Sequence, residues 1–120
     1  FSLENTIKEN IKKLQEIQNN IKIYEDKINH LSKVMECINT VNTHRKNNMV
    51  NENKYKNALK FLKHYYSKMP TTKEIFEELE ILKQKKNTPF KKYSSIKSTI
   101  KNLYQIKKNY KKYMSKEVDR

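Results

Sequence analysis

Apolar side chains recur at heptad spacing over the first third of the chain. Ile7, Leu14, Ile21, Ile28 and Met35 stand seven residues apart, and Ile17, Tyr24, Leu31 and Ile38 fill a second seam between them. Two apolar positions per heptad are what a helix needs to pair through a narrow stripe. The pattern lapses only at Asn10, where Ile11 sits beside the seam. It predicts one helix from about Ser2 to Val41, ~60 Å long at ~1.5 Å per residue. That exceeds a small domain, so part of the helix either projects or pairs with another. Residues 42–53 (NTHRKNNMVNEN) then form an asparagine-rich break whose only apolar members are Met49 and Val50. Asparagine competes for backbone hydrogen bonds and favours turns.

A second helix follows, with Tyr55, Ala58, Leu59, Leu62 and Tyr66 on one face. It must stop before Pro70, because a residue preceding proline is pushed out of the helical region. Thr71 and Glu74 have capping-box spacing and start a third helix, whose inward face is Ile75, Phe76, Leu79 and Leu82. This helix ends in Lys83, Lys85 and Lys86, where positive charge suits the negative end of the helix dipole. Thr88 followed by Pro89 reads as a cap and first helical position, opening a fourth helix. Its stripe is Ile96, Ile100, Leu103, Ile106, Tyr110 and Tyr113. No run alternates in the manner of a strand. The expected fold is all-α, a compact bundle of four to five helices with a long, heptad-patterned N-terminal helix.

Composition narrows the chemistry. The 120 residues include no glycine, one cysteine and two prolines. Without glycine there is no P-loop, no dinucleotide-binding turn and no nucleophile elbow. One cysteine forbids an internal disulfide or a multi-cysteine zinc site. No apolar run reaches the ~18 residues that span a bilayer, so no membrane insertion is expected. Phe1 is not a natural start, and the chain reads as a fragment. The formal net charge is +14. Lysine, asparagine and isoleucine belong to A/T-rich codons, so this charge reads first as a solvated lysine coat and second as a nucleic-acid footprint. Twelve lysines and no acid lie between Glu80 and Glu117. Lys83, Lys85, Lys86, Lys91 and Lys92 are the candidate nucleic-acid contacts. Glu74, Glu77, Glu78 and Glu80 make the third helix acidic, and complementarity between helices is the simplest use of the two runs.

His30, Cys37 and His44 share one heptad position. Seven residues span ~10.5 Å along a helix, too far for two of them to ligate one ion at ~2.1–2.3 Å. No metal and no cofactor are expected. No histidine is spaced against a serine or cysteine as base to nucleophile, and the glutamates of the third helix are an ordinary solvated face. The chain reads as a non-enzyme. Of its eight tyrosines, Tyr55, Tyr66, Tyr110 and Tyr113 fall on apolar stripes and are expected to pack, whereas Tyr65, Tyr93 and Tyr104 are freer.

The run NKYKNALKFLKHYYSKMPTTKEIFEEL resembles the N-terminal domain of transcription elongation factor TFIIS. Ala58, Leu59 and Leu62 match that family's A-L-x-x-L helix, and Thr72, Glu74, Ile75 and Phe76 match its following T-x-E-I-like helix. The closing IKSTIKNLYQIKKNYKKYM is similar to the family's last helix, with Tyr110 where an aromatic is expected. HLSKVMECI is similar to the first helix of the related integrase-binding domain. The stretch EILKQKKN departs from the family in lacking a glycine and an apolar continuation. The resemblance implies a bundle domain over 29–120, with 1–28 as a helical extension. It also implies a nuclear module that binds short disordered segments of transcription or chromatin proteins. Ligands of the integrase-binding branch dock on the loop between the first two helices and the loop before the last. Carried over by position, these loops hold Met49 and Val50, and Phe90 with Lys91 and Tyr93. Exposed apolar side chains ringed by lysine suit an acidic, aromatic-containing peptide. Phe90 also reads as a staple at a helix entry. Catalysis in TFIIS belongs to a separate zinc-bearing region, so binding is what the resemblance implies.

Three other readings compete. A long heptad helix followed by shorter ones, rich in lysine and asparagine, is similar to a segment of a large helical invasion ligand of a malaria-type parasite, secreted or at the cell surface. The lysine-only stretch fits direct nucleic-acid binding with a steep salt dependence. Residues 3–41 fit self-association, because a free seam pairs.

Overall fold

The computed structural model describes residues 2–47 and 51–118, the last three of these by backbone alone. It holds three α-helices, α1 (Ser2–Asn47), α2 (Glu52–Tyr65) and α3 (Thr72–Val118), and the described residues include no strand. The all-α expectation holds. The expectation of one compact bundle of four to five helices does not: there are three helices, and the chain divides into two compact units. One unit is Phe1–Lys22 with Asn87–Arg120, and the other is Ile23–Lys86.

The helix count falls because the expected third and fourth helices are one. Pro89 lies inside α3. Proline there lacks the N–H that would bond the Lys85 carbonyl, yet the spacing of partly buried positions runs through it unbroken. Leu79, Leu82, Lys86, Pro89, Tyr93, Ile96, Ile100 and Leu103 alternate steps of three and four. Packing of one continuous seam outweighs the local preference for a break. α1 likewise extends past Val41 to Asn47, and His44, Arg45 and Lys46 in its last turn suit the helix dipole. Polar residues inside the helices bond back to their own preceding turn: Thr6 Oγ1 donates to the Ser2 carbonyl at 2.8 Å and Asn10 Nδ2 to the Thr6 carbonyl at 2.8 Å.

In the first unit α1 and α3 pair antiparallel. Lys107 Nζ stands 3.5 Å from Glu4 Oε1, and Gln18 Nε2 donates to Tyr93 Oη at 3.4 Å. Fourteen residues forward on α1 thus match fourteen back on α3, which is two heptads on each strand. By this register Ile11 falls level with Ile100 midway, and both are half-buried. Among the described residues of this unit, Ile7 and Ile21 are the buried side chains. Ile106 and Tyr113, expected on the packed stripe, are exposed. Lys107, next to Ile106, is the half-buried residue on this turn, and its ammonium reaches Glu4. Tyr110 is half-exposed as well.

The second unit is a three-helix bundle around Leu31, Val34, Cys37, Ile38 and Val41 of α1, Ala58 and Leu62 of α2, and Ile75 and Leu79 of α3. Val34, Ile38, Val41 and Ile75 are essentially sealed from water. Each fully buried aliphatic stabilises such a core by about 1.5–3 kcal/mol. Facing two helices rather than one widens the apolar stripe of α1, which is why Val34, Cys37 and Val41 join the heptad seam here. Asn51 caps α2, its side chain accepting from the Asn53 N–H at 2.8 Å. α2 closes as expected before Pro70, with the Tyr66 N–H donating to the Leu62 carbonyl at 2.9 Å. The expected capping box opens α3: Glu74 N–H donates to Thr71 Oγ1 at 3.2 Å, and Thr71 N–H to Glu74 Oε2 at 3.3 Å. Lys86 Nζ lies 3.1 Å from Glu25 Oε1 and joins α3 to α1 within this unit. Phe76, expected inward, is 57% exposed, because its neighbour Ile75 already fills that place in the core.

Candidate functional site

Met49 and Val50 lie outside the described residues. Phe90, Lys91 and Tyr93 lie on α3 in the two-helix unit, on a helix rather than a loop, because the loop expected before a last helix does not exist. Phe90 is 52% exposed, so it serves as no staple. Lys91 is exposed beside it. Tyr93 is half-buried on the seam, accepting from Gln18, with Lys97 Nζ 5.8 Å from its ring centroid. Of the candidate nucleic-acid contacts, Lys83, Lys85, Lys91 and Lys92 are exposed, whereas Lys86 is half-buried and committed to Glu25. Lys83 also lies 3.9 Å from Glu80. At ~100° per residue Lys83 and Lys91 fall on one side of α3 and Lys85 and Lys92 on the other, so these four do not form one track.

The heptad column that holds His30, Cys37 and His44 faces α2 in the three-helix unit. His44 stacks on Tyr55 with centroids 3.9 Å apart, and its Nε2 lies 3.6 Å from Glu52 Oε2. Cys37 is a buried thiol, and burial pushes its pKa up, with the Glu36 carboxylate adding to the shift. Among the described residues no group of three or more His, Cys, Asp or Glu is placed to hold a metal ion. No helix of the described residues is long and apolar enough to cross a membrane.

His30 belongs to a cluster that sequence reasoning missed. Its ring meets Tyr65 edge-on at 4.5 Å and Phe61 at 5.9 Å. Tyr65 also meets Phe61 at 5.1 Å and His64 edge-on at 4.7 Å. Lys33 Nζ stands 5.5 Å from the Phe61 centroid, within reach of the ring's negative face. Phe61 and Tyr65 are one turn apart, just outside the Ala58–Leu62 stripe, and that offset was the sequence signal for a second, outward aromatic face. A shallow, open groove of about 490 Å³ runs along it, lined by Asn57, Lys60, Phe61, Lys63, His64 and Tyr65 of α2. On the other side of His30 a hollow of about 540 Å³ carries Asp26 and Glu78 together with Lys27 and Tyr66. Burial raises the Tyr66 pKa there, with Glu78 as the second cause. The fold thus sets a basic aromatic face and a mixed-charge hollow side by side.

Comparison with family models, with curated proteins and with solved structures finds no match to this chain.

Proposed function

We propose that this chain is a protein-interaction module of a transcription elongation or chromatin-associated factor, acting in the nucleus. It binds short disordered segments that are acidic and contain an aromatic residue. The observation that carries this reading is the exposure of aromatic rings among lysines. Tyr65, Phe76, Phe90 and Tyr104 are each about half exposed, on a chain with 27 basic residues. The heptad seam of α1, which would otherwise seek a second copy, is covered by α3 and α2. Rings set in a cationic surround favour an anionic, aromatic ligand, both by anchoring in apolar contact and by steering its approach.

The test is affinity capture from nuclear extract at ~0.3 M salt, which shortens the Debye length to well under 10 Å and weakens purely electrostatic contacts. Wild type is compared with a Tyr65→Ala, Phe90→Ala double variant, which removes one exposed ring from each unit. Elongation or chromatin proteins held by wild type and lost by the variant support the reading. An unchanged set of proteins, or no such proteins, overturns it.

A second reading is a receptor-binding or spacer segment of a larger helical surface ligand of a parasite. The antiparallel pairing of residues 2–22 with residues 89–109 favours it, since paired helices are an economical spacer. Capture of membrane receptors rather than nuclear proteins distinguishes the two. Direct binding of nucleic acid by Lys83, Lys85, Lys91 and Lys92 is weakened by their dispersal around α3.

A further inference from the structure

We propose that the outward face of α2, formed by Phe61, His64 and Tyr65 with His30 and Lys33 of α1 beside it, is a docking groove for an acidic peptide carrying one aromatic anchor. The inference deepens the interaction-module reading and rests on it. It places the contact in the three-helix unit, away from Phe90.

Three observations carry it. First, Phe61 packs partly against the core, but Tyr65 exceeds what the core requires. Ala58 and Leu62 already fill the inward stripe of α2, whereas Tyr65 is 52% exposed. Second, the rings hold one another. Tyr65 is met edge-on by both His30 and His64 and tilted against Phe61, all with centroids within 5.1 Å. A face locked in this way loses little side-chain freedom when a partner lands, which is the usual cost of an aromatic contact. Third, charge selects the occupant. The groove lining includes Lys60 and Lys63 and no acid, and Lys33 stands over Phe61. An anchor ring seated against Phe61 and Tyr65 brings its flanking carboxylates within reach of these ammonium groups.

The same geometry disfavours nucleic acid. Single strands bind by stacking successive bases on open, parallel ring faces along a basic track. Here the rings turn edges toward one another, and the lysines gather at one place. The hollow on the far side of His30 suits an acidic segment less well, because Asp26 and Glu78 line it.

The experiment is fluorescence anisotropy with a labelled synthetic peptide of about 15 residues, one phenylalanine set among aspartate and glutamate. Three comparators are used: the same peptide with alanine in place of phenylalanine, a poly-glutamate of equal charge, and an oligo-dT of similar length. Binding is measured to the full chain, to Tyr65→Ala, to a Lys60→Glu, Lys63→Glu double variant, and to a Phe90→Ala, Lys91→Glu control. Tyr65, Lys60, Lys63, Phe90 and Lys91 are all exposed, and circular dichroism verifies folding. The expected result is a loss of about tenfold or more in affinity for Tyr65→Ala, as for a central aromatic anchor. The lysine variant weakens binding and flattens its salt dependence, while the Phe90 control binds as wild type. Amide shift changes in the wild-type complex centred on residues 57–65 give the same answer without any substitution.

Loss in the Phe90 control with retention in Tyr65→Ala overturns the groove and leaves the interaction-module reading standing. Equal binding of poly-glutamate and the phenylalanine peptide overturns the anchor. Tighter binding of oligo-dT than of the peptide overturns the choice of occupant. Absence of peptide binding overturns the groove alone if capture from extract still recovers elongation or chromatin proteins, and both readings if it does not.

Discussion

Replacing Pro89 by alanine tests the continuity of α3 directly, because the two possible local structures give opposite signs. Inside a helix, proline costs about 3 kcal/mol relative to alanine, through the missing donor and the clash with the carbonyl four residues earlier. Pro89 is also half-buried on the seam with α1, so truncation removes two methylenes from partial contact, a loss of about 1 kcal/mol at ~0.8 kcal/mol per fully buried group. The net expectation is a gain of about 2 kcal/mol. Were Pro89 instead the first residue of a separate helix, its fixed φ would already suit that place and its missing N–H would cost nothing. Alanine there would be neutral or slightly destabilising. The assay is urea unfolding followed by far-UV ellipticity, with the two units fitted as separate transitions if the curve is not two-state. Thr88→Ala in parallel removes a cap worth about 1 kcal/mol only if a helix begins there. A midpoint unchanged or lowered by Pro89→Ala, with a loss for Thr88→Ala, would refute the continuous helix.

Other substitutions test single interactions. Thr71→Ala removes the capping box at the start of α3, and its expected cost is about 1 kcal/mol in urea unfolding, with no loss if the two hydrogen bonds to Glu74 are not formed in solution. Lys107→Glu sets two carboxylates together at the end of the two-helix unit, and Glu4→Lys sets two ammonium groups there. Each is expected to destabilise by up to about 1 kcal/mol, and the swapped pair to recover most of the loss in a double-mutant cycle. Additive effects would show that the pair does not set the register. The raised pKa of Cys37 means that the unfolded thiol ionises at a pH where the folded one still holds its proton. The unfolded state then binds fewer protons, so this contribution to stability, full below the ordinary thiol range, is lost as pH rises through it. Between about pH 8 and pH 10, stability of wild type is expected to fall more steeply than that of Cys37→Ala, and parallel curves would exclude the effect.

How far the sequence foretold this structure depended on where its apolar signal was continuous. The seam of α1 was legible because nine of its positions are apolar or tyrosine in strict phase. The stripe of α2 and the capping box at Thr71 were legible from local spacing alone. The break read at Thr88–Pro89 was not there, and the reason is specific. The same dipeptide occurs at helix starts and, where packing demands it, inside helices. Only the phase of the seam tells them apart, and here two successive seam positions are Lys86 and Pro89, so the apolar marker lapses where it was needed. Phe76 and Tyr113 were assigned to packed faces because hydrophobicity marks a residue as able to pack and not as required to. The aromatic cluster on α2 was hidden for a different reason. It joins His30 to residues more than thirty positions away, and only the pairing of α1 with α2 puts them together.

The register of the two-helix unit carries a constraint on how such a chain changes over time. Glu4 with Lys107 and Gln18 with Tyr93 are complementary pairs two heptads apart, and the register sets Ile11 level with Ile100 midway. A slip by one heptad would set a carboxylate against an isoleucine. One inserted residue in either strand rotates every later side chain by about 100° and destroys the match. Seven inserted in both strands at the same level preserve it and add ~10.5 Å. Length in this unit is therefore inherited in steps, and homologues are expected to differ there by paired insertions or deletions of seven.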